Sequence, residues 1–363
     1  MTCGLGAWEY QQRMLTEKLP QKLAIALTDS KLFTKEELGA VTFKRFDGGH
    51  HNDIYRVRLG RKDYSVRISK KPNKRAGYFA EEFHNLKIAS AAGIAPAVLF
   101  ADENTGTLIY KYIDGQAVSR DDLADQNFCG TVTRAIKSIH ELKEPFLYKH
   151  SFLNSIRRRE LKYFGPSLDK CPQHIKKLAI AAGRAMELIE ANPVAWAPCH
   201  ADLILDNMLR VKRRVVIIDW ELSGMSDPHE DLANFIVFGL MTKKSIDMIL
   251  MQYFHSLTDI GAARTLLYVV IILYYWILRH AEDLLKIPDS ERLLQKQQRR
   301  LSEAYSLMRT EDYRSAVIAL RRHIGKEYKS EQKSMKSEKR APTLKRAQPS
   351  PEKERKSKSD SDS

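Results

Sequence analysis

One stretch of this sequence groups side chains that could do chemistry together: His200-Ala201-Asp202-Leu203-Ile204-Leu205-Asp206-Asn207, followed after a hairpin pattern by Asp219-Trp220-Glu221. An Asp opening a loop, an Asn shortly after it and an Asp closing the returning strand can converge from adjacent backbones. Asn207 and Asp219 offer the hard oxygen ligands that Mg²⁺ takes, often with only one or two carboxylates from the protein and the rest from phosphate and water. Asp202 is then left as a base for the proton of an attacking hydroxyl. Those three roles are the ones phosphoryl transfer needs, since the protein's part in it is mainly to position and to neutralise. His-x-Asp-x-x-x-x-Asn alone arises by chance. The setting is more specific, because the apolar run Val215-Val216-Ile217-Ile218 leads into Asp219, and Asp227-Pro228 with Asp231-Leu232-Ala233 open a helix soon afterwards.

Those residues need elements to hold them. Runs at 41–46, 54–59 and 64–68 are rich in β-branched and aromatic residues and are parted by Gly48-Gly49 and Gly60, which predicts an antiparallel three-strand meander. A helix is expected over 80–92, with Phe79, Phe83 and Leu86 on one stripe and a stop at Gly93 before Pro96. Two more strands, 97–101 and 107–113, bracket the turn at 103–106. Beyond Gly115 the pattern is helical, roughly 119–140, 174–191, 229–239, 244–256, 261–284, 290–308 and 310–323, apart from a hairpin over 207–219. The expectation is an α+β chain of two lobes: an N-terminal helical extension (1–34), a sheet-bearing lobe (35–114), a helical lobe with the catalytic loop (115–325) and a disordered basic tail (326–363).

Composition narrows the partners. The 363 residues carry a net charge of +15, of which the tail supplies twelve basic and seven acidic residues, or +5. The folded part is therefore basic in its own right, which favours anionic ligands such as nucleotide phosphates. The tail interleaves acids with its bases and lacks an aromatic after Tyr328, so nucleic acid is not an expected partner. Four scattered cysteines without a C-x-x-C pair, and no apolar leader, point to a cytoplasmic protein. The apolar run 266–278, closed by Arg264 and Arg279, is shorter than the ~20 residues a bilayer needs and reads as a core helix rather than a transmembrane segment.

Taken together, the motifs resemble the choline kinase and aminoglycoside phosphotransferase superfamily, within it the bacterial choline and ethanolamine kinases of the lipopolysaccharide-decorating kind. The similarity covers roughly residues 35–285. It implies a protein-kinase-like fold, ATP and Mg²⁺ as cofactors, and a small hydroxyl acceptor, choline first and ethanolamine second. By this resemblance His200, Asp202 and Arg67 are catalytic, Asn207 and Asp219 hold the metal, and Gly48, Gly49 and Asn52 belong to the nucleotide-covering hairpin. Arg67 stands where protein kinases carry a phosphate-binding lysine, and a guanidinium can fork across two oxygens. Its carboxylate partner is expected from the next helix, and Glu82 fits the inward stripe better than Glu81. Tyr112 and Ile113 correspond to the inter-lobe link where adenine meets backbone groups. Trp220, Glu221, Tyr275 and Trp276 are the expected walls of a cation site, each aromatic face contributing about 0.5–2 kcal/mol. His140 reads as structural. The resemblance departs at Ala201, where the family has Gly, Asn or a similar polar residue. Alternatives are a phosphotransferase for thiamine, an aminoglycoside or a sugar, and a catalytically silent binding protein.

Overall fold

The computed structural model describes residues 19–46, 51–71, 77–148, 151–239 and 241–338. The chain enters through α1 (Gln21–Ser30) and α2 (Lys35–Ala40). A capping box starts α2: the Thr34 side chain accepts from the Glu37 amide at 3.2 Å, and Glu37 accepts from the Thr34 amide at 2.9 Å. Next come β1 (Thr42–Phe46), β2 (Asn52–Leu59), β3 (Lys62–Ser69), helix α3 (Tyr78–Ala91), β4 (Val98–Asp102) and β5 (Thr107–Lys111). The five strands form one antiparallel sheet in the order β1-β2-β3-β5-β4.

Alternation along these strands gives the sheet two faces. Tyr55, Val57, Val66, Ile68 and Ile109 pack with Leu23, Leu27 and Phe33 into a small core. On the other face Ile54, Arg67 and Leu108 lie side by side, since Ile54 pairs with Arg67 and Arg67 with Leu108. That second face looks onto the cavity described below.

The rest is helical: α4 (Arg120–Ala124), α5 (Gln126–His140), α6 (Phe152–Phe164), α7 (Gln173–Glu190), α8 (Pro228–Phe238), α9 (Lys243–Phe254), α10 (Ile260–Leu284), α11 (Glu291–Arg309) and α12 (Glu311–Glu338). Short strands interrupt it. β6 (Gln116–Ala117), β8 (Met208–Val211) and β9 (Arg214–Ile217) make one small sheet, and β7 (Ala197–Cys199) pairs with β10 (Gly224–Ser226). A large core joins these helices, and Phe79, Phe83 and Leu86 of α3 belong to it.

Helix α10 is 25 residues, longer than its apolar run, and by length and composition it could cross a membrane. In this fold 83% of its most apolar window is buried inside the protein, against α7, α8 and α11. Two features differ from expectation. Helix α6 and the β7–β10 pair were not foreseen, because α6 buries only Phe152, Ile156 and Phe164 amid an arginine run, and three-residue strands carry no period of their own. The tail expected to be disordered from Lys326 is helical as far as Glu338, where Lys, Glu, Gln and Met favour helix and no proline intervenes before Pro342. Residues 339–363 of that tail, and 1–18 of the N-terminal extension, lie outside the described residues.

Candidate active site

The loop after β7 is clamped from beneath. Asp231, in the first turn of α8, accepts from the His200 amide through Oδ2 and from the Ala201 amide through Oδ1, both at 2.7 Å. His140 Nε2 lies 3.2 Å from the same carboxylate, and its Nδ1 lies 2.6 Å from the Tyr253 hydroxyl. Burial opposes the charge of Asp231, but the His140 contact and the His200 amide outweigh it and hold the carboxyl below the ordinary range. The clamp lets Ala201 adopt φ 63°, a left-handed backbone that an alanine rarely takes.

His140, Cys199 and Asp231 have ligand atoms within 4.8 Å of one another. Both Asp231 oxygens already accept amide protons and both His140 nitrogens have partners, so this cluster is a brace rather than a metal centre. His140 is thus placed structurally. His200, expected among the catalytic groups, is also fully buried. Its Nε2 donates to the Ile218 carbonyl at 3.0 Å and its ring meets the Trp220 edge at 4.8 Å, so it positions the loop and the strand end without reaching the cavity.

Above the clamp, Asn207 Nδ2 donates to Asp202 Oδ2 at 2.9 Å and to the Asp202 carbonyl at 3.0 Å. With its amide nitrogen so engaged, the Asn207 side-chain oxygen is left for a metal. Asp219 is brought alongside because the Ile218 amide donates to the Asn207 carbonyl at 2.9 Å. The Asp219 backbone is left-handed too, at φ 66°, and its side chain is 45% exposed into the cavity. One amide oxygen and one carboxylate, both hard donors beside room for phosphate, fit Mg²⁺.

The Asp202 carboxyl is pushed up, first by burial and then by the charges of Asp219 and Glu221, while His200 and Asn207 pull the other way. Arg67 on β3 completes the group: it lies 2.5 Å from Glu82 of α3 and 3.7 Å from Asp219. Burial works against the guanidinium, but Glu82 and Asp219 more than offset it, and its pKa is raised. The sheet therefore delivers a permanent positive charge to Asp219.

A cavity of about 740 Å³ opens here, walled by Asn52, Ile54, Arg67, Leu108 and Tyr110 from the sheet and by Asn207, Asp219 and Glu221 from below. Its size suits a nucleotide. Gly48 and Gly49 lie outside the described residues; Asn52, at the start of β2, does line the cavity. Tyr112 and Ile113 are not among its walls. Tyr112 is past the end of β5, its amide bonded to the Asp63 carbonyl and its ring beneath Arg56 at 4.1 Å, so Leu108 and Tyr110 take the place expected of them. Period-two alternation back along the chain from Tyr112 reaches both.

Of the four residues expected to wall a cation site, Trp220 and Glu221 line this cavity, and Tyr275 and Trp276 do not. Trp220 touches the cavity wall but is only 1% exposed, with Nε1 bonded to the Ile217 carbonyl at 2.9 Å, so it offers no face to a cation. Trp276 packs on Phe238 at 5.1 Å and meets the Tyr275 ring edge-on at 5.7 Å. Tyr275 meets Phe152 at 5.0 Å and carries the Arg159 guanidinium over its ring at 5.2 Å. Its hydroxyl pKa is raised by burial, which outweighs the opposing charges of Arg159 and Arg279.

The profile of the phosphotransferase enzyme family matches residues 42–265. Among curated proteins, 179 residues (48% of this chain) are 27% identical to protein LicA of Haemophilus influenzae, over 64% of that protein. A second LicA of the same species matches at 26% identity over 51% of its length, so the chain spans less than two thirds of these relatives. Among solved structures, a choline/ethanolamine kinase family protein from Mesorhizobium loti superposes with TM-score 0.65 at 25% identity, covering 77% of this chain and 92% of that one. The choline kinase LicA from Streptococcus pneumoniae shares the fold, with TM-score 0.57 at 19% identity over 73% of this chain and 93% of that one.

Proposed function

The chain belongs to the phosphotransferase enzyme family, and we propose that it is a Mg²⁺-dependent kinase that passes the γ-phosphoryl of ATP to the hydroxyl of a small amino alcohol, choline first and ethanolamine second. The observation that carries this reading is the convergence of Asn207, Asp219, Arg67 and Glu82 on the wall of one nucleotide-sized cavity, with Asp202 held against Asn207 behind that wall. The triphosphate would run past Arg67 towards Asn207 and Asp219. Mg²⁺ bound there would neutralise the phosphate oxygens. Asp202, one oxygen held by Asn207, presents the other to the acceptor hydroxyl. As that hydroxyl oxygen bonds to the γ-phosphorus and the bridging oxygen leaves with ADP, the proton passes to the Asp202 carboxylate. A raised pKa makes Asp202 a better acceptor for it.

The amino-alcohol class comes from the similar solved structures, a choline/ethanolamine kinase family protein and a choline kinase. A second reading, a phosphotransferase for an uncharged hydroxyl compound, has one observation in its favour: Arg159 already occupies the face of Tyr275 where a quaternary ammonium would rest. We place the protein in the cytoplasm, where ATP is made available and where the buried free thiols of Cys129, Cys171 and Cys199 would stay reduced.

The test is Mg²⁺-dependent ADP release from ATP, screened against choline, ethanolamine, thiamine, kanamycin and simple sugars with wild type and Asp202→Asn side by side. Stimulation by an amino alcohol, falling by about a hundredfold or more in the variant while nucleotide binding persists, is the expected result. Stimulation by a neutral alcohol alone would move the protein to the second reading. Wild-type silence with every acceptor, or a variant as fast as wild type, would overturn the mechanism.

A further inference from the structure

We propose that Asn85 is a positioning residue of this site, holding α3 in register with the segment after Asp219 so that Glu82 and Arg67 stay set for phosphate. The proposal rests on the kinase reading above. Asn85 is fully buried on α3 and stands one helical turn beyond Glu82, on the same face. Its Nδ2 donates to the Ser223 carbonyl and to Ser223 Oγ, both at 3.1 Å, and its Oδ1 accepts from the Leu147 amide at 3.1 Å. Two donors and one acceptor thus meet two acceptors and one donor. Aspartate would set oxygen against oxygen, and leucine would leave a buried carbonyl and a buried amide unmatched.

The partners of Asn85 lead straight to the metal-side carboxylate. Ser223 Oγ donates to the Trp220 carbonyl at 2.6 Å and the Ser223 amide donates to it at 3.0 Å, closing the turn that follows Asp219. Leu147 belongs to a strap, 146–148, seated on the same turn: Phe146 packs on Trp220 at 6.1 Å and the Met225 amide donates to the Tyr148 carbonyl at 2.6 Å. A Cβ at Gly224 would stand 2.7 Å from that carbonyl, so glycine is what lets the strap lie so close. The contacts form a ring. From α3, Glu82 reaches Arg67 and Arg67 reaches Asp219; the backbone runs on to Ser223; and Ser223 returns through Asn85 to α3. Cutting the ring at Asn85 leaves the polar link between α3 and Asp219 on the Arg67 side only.

The experiment compares wild type with Asn85→Leu, Asn85→Asp and Ser223→Ala, checking folding by circular dichroism and thermal melting. The readouts are Mg-ADP affinity, hydrogen exchange in α3, and kcat and KM for each substrate. In folded Asn85→Leu the Mg-ADP affinity should fall about tenfold, α3 amides should exchange faster, and kcat should fall by up to about a hundredfold, the scale of a 1 Å misplacement, with acceptor KM unchanged. Ser223→Ala keeps the carbonyl partner and should show the same pattern at a few-fold; it carries the test if Asn85→Leu does not fold. A merely structural asparagine would lower the melting temperature and leave the affinity and kcat of the folded molecules within twofold, and that result would overturn the proposal. Because Mg-ADP binding and exchange need no acceptor, they judge Asn85 even if wild type shows no kinase activity, an outcome that would sink the functional reading instead.

Discussion

At the scale of single residues, the site holds backbone strain at Ala201 and Asp219, the two left-handed positions on either side of Asp202 and Asn207. Left-handed backbone costs an ordinary residue about 1–2 kcal/mol, while glycine pays about 0.5–1 kcal/mol of extra chain entropy on folding. The difference favours glycine at 201, so Ala201→Gly should stabilise the protein by about 0.5–1 kcal/mol in urea unfolding, and an unchanged or lower midpoint would show that the Asp231 clamp already relieves the strain. Asp202 has a pH signature. Its carboxyl is pushed above the ordinary value by burial and by Asp219 and Glu221, and only the ionised form can accept a proton. Activity should therefore be present above the raised pKa and lost as pH falls through it, with the acid limb of kcat/KM lying higher than the ~3.9 of a free aspartate. A limb at or below that value would remove Asp202 from the base role. Residue types in local order were legible in the sequence: the Asp202, Asn207 and Asp219 spacing, and Glu82 over Glu81 from its stripe. Trp220 misled because aromatic chemistry says nothing of which way a ring faces, and here it faces His200.

At the scale of elements, the clamp depends on how α8 is anchored. Asp227 caps its first turn, accepting from the His229 amide at 3.1 Å, and its other oxygen takes Arg264 Nε at 2.7 Å and the Tyr268 hydroxyl at 3.0 Å from α10. One carboxylate thus fixes the helix that carries Asp231 to the longest core helix. Burial opposes its charge, but His229 and Arg264 prevail and hold the carboxyl well below the usual range. A depressed folded pKa means stability that is present above the unfolded value near pH ~4 and drains away as pH falls towards the folded one. Asp227→Asn keeps a cap but leaves Arg264 buried without its charge partner, which should cost about 3–5 kcal/mol in urea unfolding at pH 7 and flatten the acid decline seen in wild type. A loss under about 1 kcal/mol would mean that the carbonyls of Ile189 and Asn192, which also accept from Arg264, suffice alone. Helices with a clean apolar stripe were legible to within a few residues. The strap, α6 and the Asn85 bonds were not, because Asn85 and Ser223 lie 138 positions apart and long-range pairing leaves no local pattern.

At the scale of the whole molecule, the described residues pack into two cores, and the nucleotide cavity lies where they face each other. The smaller core unites α1, α2 and the inner face of the sheet; the larger runs through the helices and takes in α3. The far strands β4 and β5 meet the larger core through Leu108, Val98, Ala101 and Tyr110, and polar ties from Arg67 cross the cavity as well, the one to Glu82 buried and the one to Asp219 partly exposed. Strands β1–β3, whose apolar residues belong to the smaller core, should open at lower free energy than the whole. Hydrogen exchange in rising urea should therefore show β1–β3 opening before α10 in the absence of ligand. A nucleotide seated on Asn52, Ile54, Arg67, Asn207 and Asp219 bridges both parts, so Mg-ADP at about a hundred times its Kd should raise the opening free energy of the sheet by about 2.7 kcal/mol. The amides of α10, which open only with the whole molecule, should gain no more than the sheet does. Arg67→Ala removes the charge that links the sheet to both, and in it the ligand-induced protection of β2 and β3 should be lost while α10 exchanges as before. Equal opening free energies for β3 and α10 without ligand would show instead that the polar ties already weld the two cores into one cooperative unit, with the cavity preformed before any nucleotide arrives.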